Sequence, residues 1–456
     1  MTEKLSRWRK LMYGVGDVGF SLTSTIIGAY FAIFLTDVVG MMPDLAAAAI
    51  LIGRSSDYLN DPLIGHISDR ARTRWGRRRP FLLFGALPFG LAFSLLWWKP
   101  PLGNEVALAA YYAAVYVFYD ILATLVYMPY FALTPELTAD YDERTALTSY
   151  RMFFSILASL VAFTVPLMIV KSFSPSNVSR VWVMGLFFGL ASALPLLLTF
   201  LGTRERYEHI VQEQPRLRES VRAALKNRPF IFGLGIMLLT WVAVDIVQAG
   251  LLYFVRYVAQ REAQSDLIMA TIFVVAIMAL PIWERVSRRW NKQWAYVAGI
   301  AFWAVVQLAL IMVTASTGLA VVLVLCVLAG IGVAAAHVLP WSIIPDAVEW
   351  DELQTGARHE GMFYSLITLA QKIASSFAIP LALLFLKWSN YVPNADRQPV
   401  SALWGIRIII GPIPAALLCG GILFAILYPL NRTRYAEVVQ QLEQRHKQHG
   451  NGLRKS

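Results

Sequence analysis

Two aspartates four residues apart, Asp57 and Asp61, stand inside a stretch that otherwise reads as a membrane-spanning helix. They belong to Arg54-Ser55-Ser56-Asp57-Tyr58-Leu59-Asn60-Asp61-Pro62, between the apolar run Leu45 to Ile52 and Leu63-Ile64-Gly65-His66-Ile67. A carboxylate in a bilayer is costly and normally faces a cavity or a partner rather than lipid. The spacing puts both on one helix face with Asn60 beside them, all within an arc of roughly 100°. Two anionic groups and an amide oxygen converging on one point suit a hard monovalent cation or a proton. The rest of the chain has to carry this stretch through a membrane and supply its neighbours.

Composition agrees with that demand. Of 456 residues 57% are hydrophobic and only 15% charged, against about 25% charged in soluble domains. The 14 Trp, 19 Tyr and 25 Phe suit interfacial belts. The chain reads as an all-α polytopic membrane protein. Its 40 Lys+Arg against 29 Asp+Glu would suit nucleic acid, but the basic residues sit in short loops between apolar spans, so a nucleic-acid partner is excluded. Cys326 and Cys419 both lie in apolar runs and read as packing residues, with neither a disulfide framework nor a metal site indicated. Met1 to Lys10 is polar and basic without a small-residue cleavage site, so no removable signal peptide is expected.

On the criterion of ~20 apolar residues per span there are about twelve spans, near 11–39, 44–68, 80–99, 106–133, 147–171, 180–202, 229–258, 266–283, 294–315, 318–345, 361–388 and 402–430. Arginines crowd the loop after span two (Arg70, Arg72, Arg74, Arg77, Arg78, Arg79), and the segment 204–228, the loop after span eight and the tail 431–456 are also basic. The intervening loops are short or weakly charged. The Lys/Arg rule then places both termini in the cytoplasm, with the plasma membrane, a bacterial inner membrane, as the expected location. The basic linker 204–228 separates a first bundle, 1–203, holding the cation stretch, from a second, 229–430. Pro62 to Trp75 at the end of span two is echoed by Pro281 to Trp290 at the end of span eight. Parallel six-span repeats with a site between them at mid-membrane describe the major facilitator architecture, twelve transmembrane helices in two six-helix halves.

Several other polar residues have two readings each. Thr124 in span four either completes an oxygen shell around a cation at Asp57 and Asp61 or bonds its own i−4 carbonyl. Lys372 lies too deep in span eleven to snorkel, so it belongs to the cavity, as a substrate contact or as a counter-ion for the two aspartates. Arg151 opens span five and serves a structural pair or a substrate contact. Asp17 is read as solvated or packing rather than transporting, and the faces of Asp120 and Asp245 are left open. His337, after three alanines, either titrates and bonds substrate or is a packed, satisfied ring. Asp346, Glu349, Asp351 and Glu352 follow span ten. They form a solvated charge run or, with Arg74 and its neighbours in the other half, a salt-bridge lock that holds the protein open to the outside. There is no Walker-type loop to hydrolyse ATP, His and Cys are too scattered for zinc, and no catalytic constellation marks an enzyme.

The chain resembles the glycoside–pentoside–hexuronide:cation symporters, the melibiose permease group of the major facilitator superfamily. The likeness spans nearly the whole chain. It is carried by Lys10-Leu11-Met12-Tyr13-Gly14, Thr36-Asp37-Val38-Val39-Gly40, Asp57 through Asp61-Pro62, Arg74-Trp75-Gly76-Arg77, Arg151-Met152-Phe153-Phe154 and Tyr364-Ser365 to Lys372. The resemblance implies a cation site at Asp57, Asn60, Asp61 and Thr124, with Na⁺ as coupling ion (H⁺ or Li⁺ as alternatives) and no cofactor. The family's sugar site is matched less well. Two acidic sugar-gripping positions fall on Ser21 and Tyr127 and two tryptophan positions on Phe131 and His337, while Arg151, Thr368 and Lys372 match. With two carboxylates lost and two cations kept, the cavity is less hostile to an anion such as a uronide, a sulfonated sugar or a lysophospholipid headgroup.

The expected function is Na⁺-coupled symport of a glycoside or related, potentially anionic, small organic solute by alternating access, in a monomer. Two rivals remain. One is a proton-coupled transporter or exporter of amphiphilic, lysolipid-like substrates. The other is a receptor or scaffold that no longer transports, which has no need of costly buried charge.

Overall fold

The computed structural model describes residues 5–138, 140–205, 224–356, 360–430 and scattered tail positions between 434 and 444. The expected basic linker therefore falls largely outside the described residues, as does most of the tail. Among the described residues the regular structure is helical, with one isolated bridge, Thr73 to Gly76, in an arginine loop.

Twelve rods follow one another. α1 spans 7–39 and is built from Arg7–Val15, Asp17–Ile26 and two π-helical turns, Ile27–Phe31 and Phe34–Val39. Ser6 starts it by accepting from the Arg9 amide, and Gly40 stops it at φ 86°, a conformation costly for other residues. α2 spans 43–70 as Pro43–Ser55 and Asp57–Arg70, interrupted at Ser56. Then come α3 (Arg79–Leu96), α4 (Glu105–Ala132), α5 (Tyr141–Val170) and α6 (Val178–Gly202). The second set is α7 (Arg228–Tyr253, prolonged by Phe254–Val258), α8 (Ser265–Arg289), α9 (Lys292–Ala309), α10 (Leu319–Thr355), α11 (Glu360–Trp388) and α12 (Val400–Ile410 with Pro412–Ile426).

Ten of these are long and apolar enough to cross a membrane. The other two are α1 and α2, whose polar residues and interruptions break the apolar window. At 1.5 Å per residue they still reach roughly 50 and 40 Å, enough to cross. Several helices outrun their apolar windows: α5 begins at 141 rather than 147, α8 ends at 289 rather than 283, and α10 ends at 355 rather than 345. Hydropathy marks where lipid begins; hydrogen bonding carries the helix on into polar turns.

α1 packs on α5 and α6, α2 on α4, and α3 on α4 and α6. In the second set α8 and α9 pack on α10, and α7 on α10, α11 and α12. Small residues allow the closest approaches: a side chain at Gly90 of α3 would meet the Gly189 carbonyl of α6 at 2.4 Å. The two sets touch through α2 with α11, α5 with α8, and α1 with α7. Each of these pairs joins helices of equivalent or exchanged position in a six-helix repeat, as two parallel repeats facing each other would do.

Candidate cation and substrate site

The Asp57–Arg70 segment is helical, and it turns Asp57 and Asp61 together toward α11. There Lys372 donates to Asp57 Oδ1 at 3.2 Å and to Asp61 Oδ2 at 2.7 Å. From α4, the Thr124 hydroxyl donates to Asp57 Oδ1 at 3.4 Å. Asn60 lies beside them and donates through Nδ2 to Asp120 Oδ2 at 3.3 Å. Asp57, Asn60, Asp61, Thr124 and Lys372 therefore meet in one place, and of the two readings of Lys372 the geometry is that of a counter-ion. A positive charge thus lies between the two carboxylates.

A second charged cluster adjoins it. Arg54, one turn before Asp57, donates to the Ser375 carbonyl of α11 at 2.9 Å and stands within electrostatic reach of Asp245, Asp57 and Asp120. Each aspartate is visible in the sequence as a carboxylate in a span. What the sequence lacks is the rotation of α4 and α7, which tertiary packing sets.

The substrate-side residues gather less completely. Ser21 is hydrogen-bonded to Ser155 at 2.6 Å. Arg151 lies 3.7 Å from Asp17 and over the Phe131 ring, 4.9 Å from its centroid. Asp17 is buried, so of its two readings, solvated or packing, the packing one holds, with Arg151 as its ionic partner. Tyr127 is 3% exposed. It sits behind Phe20 and Phe131, ring centroids 5.0 and 6.0 Å away, both of which are exposed. Tyr127 is thus covered, and Phe20 and Phe131 are the exposed rings packed against it. His337 bonds through Nδ1 to the Val333 carbonyl at 2.9 Å and packs on Trp241, a satisfied ring. Thr368 is exposed and donates to its own i−4 carbonyl, Tyr364. It lies one turn from Lys372, on the same face of α11.

The acidic residues after residue 345 are on α10 itself, and Asp346 and Asp351 are buried. Asp346 accepts from Lys292 of its own half at 2.6 Å, so a solvated run is not what forms. Glu349 is part-buried on the same helix. Arg74 stacks on Trp75, and Arg77 and Arg78 bond Glu136 within the first half. The described pairs at this basic end stay inside one half, and the expected lock between Arg74 and the acidic residues is not among them.

A lock joins the halves at the far end. Asp37, fully buried on the π-turn Phe34–Val39 of α1, accepts from Arg256 of α7 at 3.0 Å, from the Tyr257 and Tyr391 hydroxyls at 2.5 Å each and from the Asn394 amide at 3.3 Å. Arg256 also donates to the Phe173 carbonyl, and Thr36 bonds Tyr253 across the same seam at 2.8 Å. Sequence reasoning misses this lock. The available signal is a carboxylate and an arginine inside the apolar ends of spans one and seven, matching positions in the two repeats.

Twelve helices in two sets of six, meeting around charged groups in their middle, define a secondary transporter of the major facilitator class. A solved D-xylose–proton symporter shares the fold, with a TM-score of 0.64 at 15% identity over 92% of this chain and 96% of that one. The profile for MFS/sugar transport proteins matches residues 12–432, and the chain belongs to that family. Among its relatives, an uncharacterized symporter of Synechocystis is 31% identical over 97% of this chain and 98% of that protein. The sodium-dependent lysophosphatidylcholine symporter 1-A of Danio rerio is 27% identical over 96% of this chain and 88% of that protein. The cation-symporter group indicated by the sequence motifs is thus the one the chain falls in, and the chain is a multi-pass membrane symporter.

Proposed function

We propose that this symporter couples Na⁺ to the uptake of a glycoside or related small organic solute. The observation that carries this reading is the ammonium of Lys372 held by both Asp57 and Asp61: the pair already binds one monovalent positive charge. When the far-end lock at Asp37 and Arg256 is open, Na⁺ entering from that end displaces Lys372 and takes oxygens from Asp57, Asp61, Asn60 and Thr124. The freed Lys372 turns to substrate beside Thr368. Substrate and ion then favour each other's binding, and the effect is reciprocal. With both sites filled, the far-end lock at Asp37 and Arg256 closes and the basic end opens. In this reading the basic end is cytoplasmic, the protein acts as a monomer in the plasma membrane, and no cofactor takes part.

An anionic substrate gains less from these charges than the residue types alone suggest. Asp17 neutralises Arg151 and the aspartates hold Lys372, so the resting cavity has no free excess of positive charge at these two residues. A hydroxyl-rich solute suits a carboxylate–guanidinium pair beside an aromatic face. A second reading, an amphiphile such as a lysolipid, is favoured by the exposed Phe131 at Arg151 with Phe20 against it and by the named substrate of the Danio rerio relative.

The test is uptake into proteoliposomes with a Na⁺ gradient and no pH gradient, offering a neutral glycoside, a uronide and a lysophospholipid. Na⁺-driven accumulation of the glycoside is expected. Accumulation only under a pH gradient would overturn Na⁺ coupling, and accumulation of the lysophospholipid alone would transfer the site to amphiphiles. Asp57→Cys or Asp61→Cys is expected to abolish the Na⁺ stimulation.

A further inference from the structure

The geometry points to Asp120 as the residue that positions Asn60 for the cation, and so sets the affinity of the ion site without touching the ion. This role rests on the cation reading of Asp57 and Asp61 given above.

Asp120 and Thr124 are four residues apart on α4 and share one face. That face meets α2 in two steps: Thr124 bonds Asp57, and one turn away Asp120 bonds Ser56 and Asn60. Asp120 is the deeper group. It is 8% exposed, whereas the Asp57 and Asp61 side chains are 26% and 31% exposed. Depth separates the tasks: the open carboxylates can meet an arriving ion, and the covered one cannot without displacing its own partners.

The chemistry of an amide then gives Asp120 its work. Asn60 has a donor end and an acceptor end of nearly equal size, and only the acceptor end helps a cation. A carboxylate accepts and does not donate. By taking the Asn60 Nδ2 at 3.3 Å it commits the NH₂ to α4 and leaves the Asn60 carbonyl oxygen as the free end. Ser56, at the break in α2, is tied to the same Oδ2 at 2.5 Å and to the Gly53 carbonyl at 2.7 Å. Asp120 therefore also fixes the joint from which Asp57 and Asn60 project. Arg54 from α2 and Lys372 from α11 are the positive groups within its reach, and Asp57 is a negative one. Partners that orient ligands in this way are typically worth about 10- to 100-fold in ion affinity.

The experiment is a Na⁺ titration of the thermal stability of the purified full-length protein, with choline replacing Na⁺ at constant ionic strength. Asp120→Asn is expected to raise the half-saturating Na⁺ concentration about 10- to 100-fold while leaving the unfolding temperature in choline close to wild type. In an Asn60→Ala background the same substitution is expected to add little, because its route to the ion is gone. An unchanged midpoint in Asp120→Asn would overturn the role, and so would an equal shift in both backgrounds. Should Asp120→Asn not accumulate, Asp120→Ser takes its place: the same rise in midpoint is expected, and an unchanged midpoint overturns the role equally. A wild type that responds to Na⁺ no more than to choline overturns the Na⁺ reading and this role with it. A responsive wild type with an unshifted variant overturns this role alone.

Discussion

Among the described residues a carboxylate of the first half meets a cation of the second at Asp57 and Asp61 with Lys372, at Asp37 with Arg256 and at the rim pair Asp44 with Lys387, and the first two bridges differ in almost every physical respect. At mid-helix, Asp57 and Asp61 hold Lys372, with side chains 26%, 31% and 32% exposed. At the far end, Asp37 holds Arg256, with side chains 0% and 13% exposed. The first cation is a compact ammonium on a flexible stem; the second is a planar guanidinium whose fork is also taken by Phe173 and Asn394. Asp37 has further donors in Tyr257, Tyr391 and Asn394, whereas Asp57 and Asp61 keep room for other partners. A partly exposed pair is worth little and is easily exchanged. A buried, fully bonded pair is costly to break from one side. The contrast separates a partly exposed, exchangeable pair, the proposed ion site, from a buried latch.

The largest effect should come from breaking the latch. Arg256→Ala leaves Asp37 buried without its cation, a loss of about 3 kcal/mol or more, or about a hundredfold in the ratio of far-end-closed to far-end-open forms. In a background lacking Cys326 and Cys419, a cysteine at the buried Val39 should be labelled far faster once Arg256 is removed. An unchanged rate would mean the far end is held by apolar packing rather than by this pair.

A smaller effect, of opposite sign for the ion, is expected at the other bridge. Lys372→Ala removes the competing ammonium and should tighten Na⁺ binding by about fivefold, the scale of a partly exposed pair, while weakening the link between Na⁺ and substrate. Direct binding measured by calorimetry decides the matter, and weaker Na⁺ binding would show that Lys372 belongs to the ion site rather than competing for it. The smallest effect should come from the rim. Lys387 and Asp44 pair at 3.3 Å with side chains 37% and 44% exposed, so Lys387→Ala should alter the Val39 labelling rate by about twofold at most. A change as large as that of Arg256→Ala would erase the distinction between latch and rim.

The ion half of the site is legible because its residues are close in sequence. Asp57, Asn60 and Asp61 share a face by helical spacing alone, and a carboxylate in an apolar run announces itself. Thr124 and Lys372 are offered as partners by residue type and depth in their spans, each with an alternative, and packing decides between the two readings. The latch is illegible in practice because Asp37 and Arg256 are 219 residues apart, and a π-turn, which no hydropathy pattern encodes, aims Asp37 at α7. Asp17 is half legible: its place near the end of a span leaves water or packing open, and α5 covers it and supplies Arg151. The acidic residues of α10 read as a solvated run because hydropathy ends where the helix does not. Each miss concerns a rotation or a packing partner rather than the existence of an element.

At the centre of this account, Asp57 and Asp61 hold a monovalent ion in exchange for Lys372. A Na⁺ titration of thermal stability in the wild type and in Asp57→Cys and Asp61→Cys tests it most directly. The wild type should gain stability with Na⁺ over choline, approaching about 2.7 kcal/mol at a hundred times the dissociation constant, and both variants should lose that gain. An equal, Na⁺-specific gain in the wild type and both variants would place the ion elsewhere and contradict the account.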